Sequence, residues 1–149
     1  MSAGHAAALS GHPLAGVYSH AGMVSYQGEK MSKSLGNLVL VSRLRASGTD
    51  PRAIRLALLA HQYRTNWEWT DAELSGAEAR LERWSAAFRG QAVPGSADAA
   101  AVVEGLRSAL TDDLDTPRAL AIVDAAAAHP LDDPALLARA IDALLGIAL

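Results

Sequence analysis

The sequence predicts a mostly α-helical protein that opens with the edge of an α/β domain. Helix caps followed by apolar residues at helical spacing recur through residues 70–149. A β-branched and aromatic run at 17–26 favours a strand, and a glycine-flanked loop with two lysines follows it. We therefore expect three parts: an α/β edge at 1–38, a helical connector at 39–69 and an antiparallel helical bundle at 70–149.

The first part contains one predicted helix and one predicted strand. Met1–Gly11 is rich in alanine and reads as a helix that Gly11 ends, with Pro13 just beyond it. Val17–Tyr26 reads as a strand that Gly22 interrupts. A single strand cannot form a sheet, and we find no partner strand in the rest of the sequence.

The helices after residue 38 are predicted from caps and apolar periodicity. An apolar run at 38–41 leads into a short helix through Ala46, which Gly48 ends. Asp50 followed by Pro51 is typical of a helix cap with proline at the first helical position. Further helices are predicted to open at Thr70 with Glu73 as a capping box, at Ser96, at Thr116–Pro117 and at Asp133–Pro134. The inward residues are predicted to be Ile54, Ala57, Leu58, His61, Leu74, Ala77, Leu81, Trp84, Phe88, Val102, Val103, Leu106, Leu110, Leu120, Val123, Leu137, Ile141 and Leu144.

Composition limits the classes of function. The net charge is −3 and the basic residues are scattered, so the sequence does not predict a nucleic-acid partner. The chain contains no cysteine, which excludes disulfides and fits a reducing compartment. No apolar run approaches the roughly 20 residues of a membrane span, and the N-terminus does not resemble a signal peptide. We expect a cytoplasmic protein without a membrane partner.

The loop Gly28–Asn37 carries the clearest chemistry. Lys30 and Lys33 lie three positions apart, with serine hydroxyls between and after them. Ammonium groups on flexible stems suit a polyphosphate, and the flanking glycines allow the loop to open and close. The loop is predicted to bind the phosphates of ATP. An isolated pair of lysines at this spacing would instead be an ordinary solvated surface.

The run KMSKS, followed by LGN, resembles the loop that marks class I aminoacyl-tRNA synthetases. The resemblance implies that Lys30 and Lys33 are catalytic, because preplaced cations stabilise the charge that develops as pyrophosphate leaves. It also implies that Met23 and Val24 contact the adenine, although sheet packing explains them equally well. The implied ATP-binding residues are Met23, Val24, Lys30, Met31, Ser32, Lys33 and Ser34.

The flanks narrow the resemblance. YSHAGMVSYQGEKMSKSLGN and DDLDTPRAL resemble the cysteinyl-tRNA synthetase group. Residues 38–74, which include WEWTD, resemble the branch of ATP-dependent ligases that join cysteine to glucosaminyl-inositol in mycothiol biosynthesis. This implies activation of L-cysteine to cysteinyl-adenylate and transfer to an amine. It also implies a zinc ion in the family, held by ligands outside this chain.

The sequence contains no HIGH-type motif, which orients ATP in that superfamily. We therefore expect the chain to be the C-terminal portion of a longer enzyme, with little or no activity alone. A cysteinyl-tRNA synthetase is the nearest alternative, and the lack of a basic C-terminal extension argues against it. The alternative from another class is a non-catalytic helical interaction module.

The remaining candidates favour structural roles. The five histidines are irregularly spaced, so we predict surface or capping roles and no metal site, with only His20 near a ligand. Trp67 and Trp69 would lie on one side of an extended segment and are expected to pack rather than to stack on a substrate. The acidic residues Asp112, Asp113 and Asp115 are expected to favour the helix N-terminus that follows at Thr116–Pro117.

Overall fold

The computed structural model describes residues 2–149, and about half of the chain is helical, with one small sheet. The predicted class is therefore confirmed in its coarse form. The elements in chain order are α1 (Ser2–Ser10), β1 (Val24–Tyr26), β2 (Glu29–Lys30), α2 (Val41–Ala46), α3 (Pro51–Leu59), β3 (Trp67–Trp69), α4 (Asp71–Phe88), α5 (Ala99–Thr111), α6 (Thr116–Ala127) and α7 (Pro134–Leu145). The predicted helix start at Met1 lies outside the described residues.

The three strands form one sheet in the order β2-β1-β3. β1 pairs with β2 in antiparallel fashion and with β3 in parallel fashion, so that Val24 lies opposite Trp67. The prediction that β1 has no partner within this chain was wrong, because Trp67–Trp69 returns to it from about 40 residues away. The predicted strand was also too long. Residues 17–21 have no paired neighbour and remain exposed.

A tight turn joins β1 to β2. Gln27 and Gly28 have φ values of 56° and 75°, the two left-handed residues that a two-residue hairpin of type I′ requires. The Gly28 N–H also donates to Glu68 Oε1 at 2.6 Å. The hairpin that carries Lys30 is therefore also held by a side chain of β3.

The helix caps follow the sequence closely, with two corrections. Asp50, Thr70 and Asp133 cap α3, α4 and α7 as predicted. α5 begins at Ala99 rather than Ser96, because the Asp98 carboxylate accepts the first free amides of the helix while the Ser96 hydroxyl donates to Val93 O. The cap of α6 is Asp115 rather than Thr116.

One hydrophobic core runs through α3, β3 and α4–α7. Trp84, Leu106 and Leu137 are among its largest fully buried side chains. Leu58 and Leu144, predicted to point inward, are 49% and 37% exposed, because Leu56 and Leu145 take the buried positions instead. The boundaries between connector and bundle, and the antiparallel arrangement of the helices, stay predictions. Within residues 2–149, no helix is long and apolar enough to cross a membrane.

Candidate functional site

A cavity of about 350 Å³ lies against the sheet at the start of β1. Its lining residues are Met23, Val24, Ser25, Lys30, Asn66 and Trp67. The fold thus brings together three residues that the sequence selects, namely Met23, Val24 and Lys30. We call this cavity the sheet pocket. It combines an apolar wall with one ammonium group, which is suited to a ligand with a planar apolar part and an anionic part.

The sheet register positions the ammonium group. Lys30 lies opposite Ser25 across the hairpin, so its stem starts beside the middle of β1. On the other side of β1, the Asn66 side-chain oxygen accepts the Met23 N–H at 2.7 Å. The Trp67 N–H donates to Met23 O at 3.0 Å. Met23 is therefore fixed by its backbone where β1 and β3 begin.

The loop Gly28–Asn37 carries both lysines, and we call it the lysine loop. The side chain of Asn37 holds the part of this loop that follows β2. The Asn37 amide accepts the Ser32 N–H at 2.8 Å and donates to Lys30 O at 3.3 Å. The Ser32 hydroxyl accepts the Leu35 N–H at 3.2 Å and lies 3.2 Å from the Ser34 hydroxyl. The hydroxyls of Ser32 and Ser34 therefore lie together within the turn of the loop, and their contacts with a ligand stay a prediction.

Lys33, Met31, Ser32 and Ser34 do not line the sheet pocket. Lys33 is exposed on the turn that the Gly36 N–H closes by donating to Lys33 O at 3.3 Å. Neither lysine has a carboxylate within 4.0 Å among the residues that the structure describes. They are also the only lysines in the sequence, since every other basic residue is an arginine. Both amines are thus free to meet a phosphate.

His61 is half-buried, in line with its place among the residues predicted to face inward and not with the surface or capping role predicted for the histidines as a group. Its ring stacks on Trp67 with centroids 4.0 Å apart and an interplanar angle of 9°, and its Nε2 lies 3.2 Å from Glu73 Oε2. His20 is exposed and does not line the sheet pocket. In the described part of the chain, no group of three or more His, Cys, Asp or Glu could hold a metal ion. The expectation that the zinc ligands of the family lie outside this chain stays a prediction.

Trp69 is 5% exposed, which confirms the packing role predicted for it. Trp67 is half-buried and contributes a wall of the sheet pocket. The rings of both tryptophans lie 6.0 Å apart on one side of β3, as the alternation predicted.

Sequence reasoning missed Asn66 and Asn37. The alternation WEW was the available signal for a strand near Asn66, but nothing local marked Asn37.

Residues 2–79, just over half of the chain, match the family described as tRNA synthetases class I (C) catalytic domain. This match includes the lysine loop, the whole sheet and the first half of α4.

Three curated relatives share one name, L-cysteine:1D-myo-inositol 2-amino-2-deoxy-alpha-D-glucopyranoside ligase. The chain is 58% identical to the protein from Clavibacter michiganensis over 152 residues, which cover 100% of this chain and 35% of the relative. It is 55% identical to the Streptomyces coelicolor protein over 157 residues and 56% identical to the Kribbella flavida protein over 153 residues. These cover 100% of this chain and 38% and 37% of the two relatives. The chain spans little more than a third of the length of these relatives.

Proposed function

Because this chain belongs to the family of class I (C) tRNA synthetase catalytic domains, we propose that it supplies the ATP phosphate site of a ligase of mycothiol biosynthesis. The ligase joins L-cysteine to the amine of glucosaminyl-inositol. The names of relatives matched along the whole chain support this choice of substrates over transfer to tRNA. The observation that carries the proposal is the placement of Lys30 in one pocket with Met23 and Trp67.

The proposed reaction has two steps. A carboxylate oxygen of cysteine attacks the α-phosphorus of ATP, and the bond to the β-phosphate oxygen breaks, which gives cysteinyl-adenylate and pyrophosphate. The acceptor amine then attacks the carbonyl carbon of the adenylate, loses a proton and displaces AMP. The residues of this chain act in the first step.

Lys30 and Lys33 bind the β- and γ-phosphates and stabilise the negative charge that grows on pyrophosphate as it leaves. Their contribution is electrostatic, since an ammonium group without a carboxylate partner interacts most strongly where charge accumulates in the transition state. Lys30 acts from the sheet pocket, and Lys33 acts from the turn of the loop. Met31, Ser32 and Ser34 contribute further contacts with ATP, and the Ser32 hydroxyl also accepts the Leu35 N–H within the loop.

Met23 and Val24 are proposed to contact the adenine ring. Met23 contributes a flexible apolar side chain, which is 47% exposed. Trp67 forms another part of the wall of the same pocket, while its ring stacks on His61. We assign no residue of this chain to the binding of cysteine or of the acceptor amine. We therefore expect the 149-residue chain alone to give no cysteine-dependent ATP–pyrophosphate exchange.

The first test measures whether ATP protects Lys30 and Lys33 from chemical modification. Lys30, Lys33 and the terminal amine are the only primary amines in the chain, so an amine-reactive reagent followed by peptide mass spectrometry reports each lysine separately. We expect ATP to slow the modification of both lysines, whereas adenosine slows that of Lys30 alone. Equal modification rates with and without millimolar ATP would contradict the proposal.

The second test measures catalysis. This chain would replace the matched segment of the Clavibacter michiganensis ligase, and cysteine-dependent ATP–pyrophosphate exchange would be compared for Lys33→Ala and Arg139→Ala. Loss of one preplaced charge donor costs on the order of 10²-fold in rate, and we expect that loss for Lys33→Ala. Arg139→Ala removes an exposed charge from α7 and is the matched control. Exchange by Lys33→Ala within threefold of the parent would exclude a catalytic role for the loop.

A further inference from the structure

The junction between α5 and α6 contains two consecutive residues in the left-handed region. Asp113 and Leu114 have φ values of 55° and 54°. Residues with a Cβ are disfavoured in this region and persist there only where the surrounding structure fixes them. The contacts of the junction therefore identify what holds it in place.

Backbone hydrogen bonds within the junction, such as that from Leu114 N to Leu110 O at 3.2 Å, contribute to this, and the turn at 61–66 supplies contacts from another part of the chain. The Gln62 side-chain amide donates to Asp113 O at 2.7 Å. The Tyr63 hydroxyl and Arg64 Nη2 both donate to Asp113 Oδ1, at 3.0 Å and 2.6 Å. Three successive residues of one turn thus converge on a single aspartate about 50 positions later in the chain.

Asp113 acts by positioning the side chains of Tyr63 and Arg64 rather than through the energy of its ion pair with Arg64. The side chains of Arg64 and Asp113 are 56% and 44% exposed, and an exposed pair of this kind contributes little through its charges. The hydrogen bond to Tyr63 and then the charge of Asp113 raise the pKa of Arg64 above its usual value. The guanidinium also lies 5.3 Å from the centre of the Tyr63 ring. Asp113 therefore fixes the positions of two side chains with one oxygen.

The same turn holds the backbone of the sheet pocket. The Gly22 N–H donates to Tyr63 O at 2.7 Å, and the Met23 N–H donates to Asn66 Oδ1 at 2.7 Å. The approach is so close that a Cβ at Gly22 would lie 1.9 Å from Thr65 O. The segment that enters β1 is therefore bound to the turn at two successive amides and packs closely against it.

We propose that Asp113 is a positioning residue for the sheet pocket, which it stabilises through the 61–66 turn and the backbone of residues 22–23. The α5–α6 junction, far along the chain from the lysine loop, thereby sets the wall of the pocket opposite Lys30. This inference relies on the proposed function only in assigning the pocket to ATP.

The test compares Asp113→Gly with Leu114→Gly in the 149-residue chain. Glycine adopts a positive φ without a steric penalty, so both variants keep the backbone of the junction, but only Asp113→Gly removes the carboxylate. Amide hydrogen exchange would be measured by NMR for Gly22, Met23 and Trp67. We expect exchange at these amides to be at least tenfold faster in Asp113→Gly than in Leu114→Gly, with unchanged exchange in the buried helices. Asp113→Asn keeps an oxygen acceptor and is expected to restore part of the protection.

Unchanged exchange at these three amides in Asp113→Gly would overturn the inference. A uniform increase across all helices would also overturn it, since that result would mean a general loss of stability rather than a local anchor.

A measurement of ATP binding distinguishes a failure of this inference from a failure of the proposed function. The concentration of ATP that half-protects Lys30 from the amine reagent is expected to rise about fivefold in Asp113→Gly and to stay unchanged in Leu114→Gly. If ATP fails to protect Lys30 in the unmodified chain while the exchange result holds, the proposed function fails and the positioning role stands. If ATP protects Lys30 equally in all variants, the positioning role fails.

Discussion

Asn37 is the residue whose side chain spans the lysine loop, with its two amide atoms bound to Ser32 N and Lys30 O. Each hydrogen bond of this kind contributes about 1 kcal/mol net. Its loss would leave the loop without the contact that joins its two ends, so that the lysines would have to be ordered at the moment ATP binds.

We therefore expect Asn37→Ala to raise the KM for ATP about tenfold in the chimeric ligase, with a smaller effect on kcat. Asn37→Asp keeps the acceptor for Ser32 N but places an anion beside Lys30 O, so its effect should be at least as large. Gln91→Ala, an exposed substitution in the linker before α5, is the control. Steady-state exchange kinetics with varied ATP would measure this, and an unchanged KM in both Asn37 variants would reject the role of the side chain.

At the scale of residues, sequence reasoning identified the lysines but not their supports. KMSKS is a contiguous pattern, and its charges are visible without any structure. Asn66 and Glu68 support the two ends of β1 from 43 and 40 positions away, through bonds to Met23 N and Gly28 N. A single sequence carries no local mark for such a contact, since the pairing partner is chosen by the fold.

At the scale of elements, the cap of α3 is expected to make a contribution to the free energy of unfolding that depends on pH. Asp50 accepts the Arg52 N–H at 2.8 Å and contacts the Arg52 guanidinium through both oxygens. The hydrogen bonds from Arg52 hold the pKa of Asp50 below its usual value. Arg52 Nη1 also donates to Ala148 O at 2.7 Å, which ties the cap to the C-terminus.

We predict that Asp50→Ala lowers the free energy of unfolding by about 1 kcal/mol at pH 7. Because the pKa of Asp50 is lower in the folded than in the unfolded state, its charged form stabilises the fold above the unfolded value of about 3.9. That contribution disappears as the pH falls through the folded pKa, so the difference between the two proteins should shrink once the pH falls below the unfolded value. Urea unfolding at pH 7, 5 and 3 would measure the difference.

Asp133→Ala is the matched control, since Asp133 caps α7 through Leu136 N and has no guanidinium partner among the residues that the structure describes. A similar loss is expected at pH 7. A difference between the parent and Asp50→Ala that stays constant down to pH 3 would contradict the electrostatic part of this account.

The elements show where prediction from sequence succeeds. Each cap is a local hydrogen bond between a side chain and an amide two or three positions later, so Asp50, Thr70 and Asp133 were visible in the sequence. β3 was not predicted because its three residues form a strand only by pairing with β1. A strand of this length has no stability of its own.

At the scale of the whole molecule, the core is continuous from α3 to the segment after α7. Leu106 in α5 is fully buried, and its truncation to alanine removes apolar contacts and leaves a cavity. We expect Leu106→Ala to lower the free energy of unfolding by about 2–5 kcal/mol. Because sheet and helices share this core, both should unfold at the same lower urea concentration.

The three indole N–H signals in NMR would test this, since Trp67 and Trp69 report on β3 and Trp84 reports on α4. Leu9→Ala is the control, because Leu9 is 90% exposed, and its effect should stay within about 0.5 kcal/mol. Earlier loss of the Trp67 and Trp69 signals than of the Trp84 signal would instead support the predicted boundary between connector and bundle.

The sequence by itself determined the helices, most of their caps and the cationic loop, because each depends on residues within a few positions of one another. Only the tertiary structure decided that Trp67–Trp69 pairs with Val24–Tyr26, that Asn37 and Asn66 support the site, and that Asp113 fixes the turn behind it. These contacts join residues up to about 50 positions apart. Their partners are selected by the packing of the whole chain, which no local pattern records.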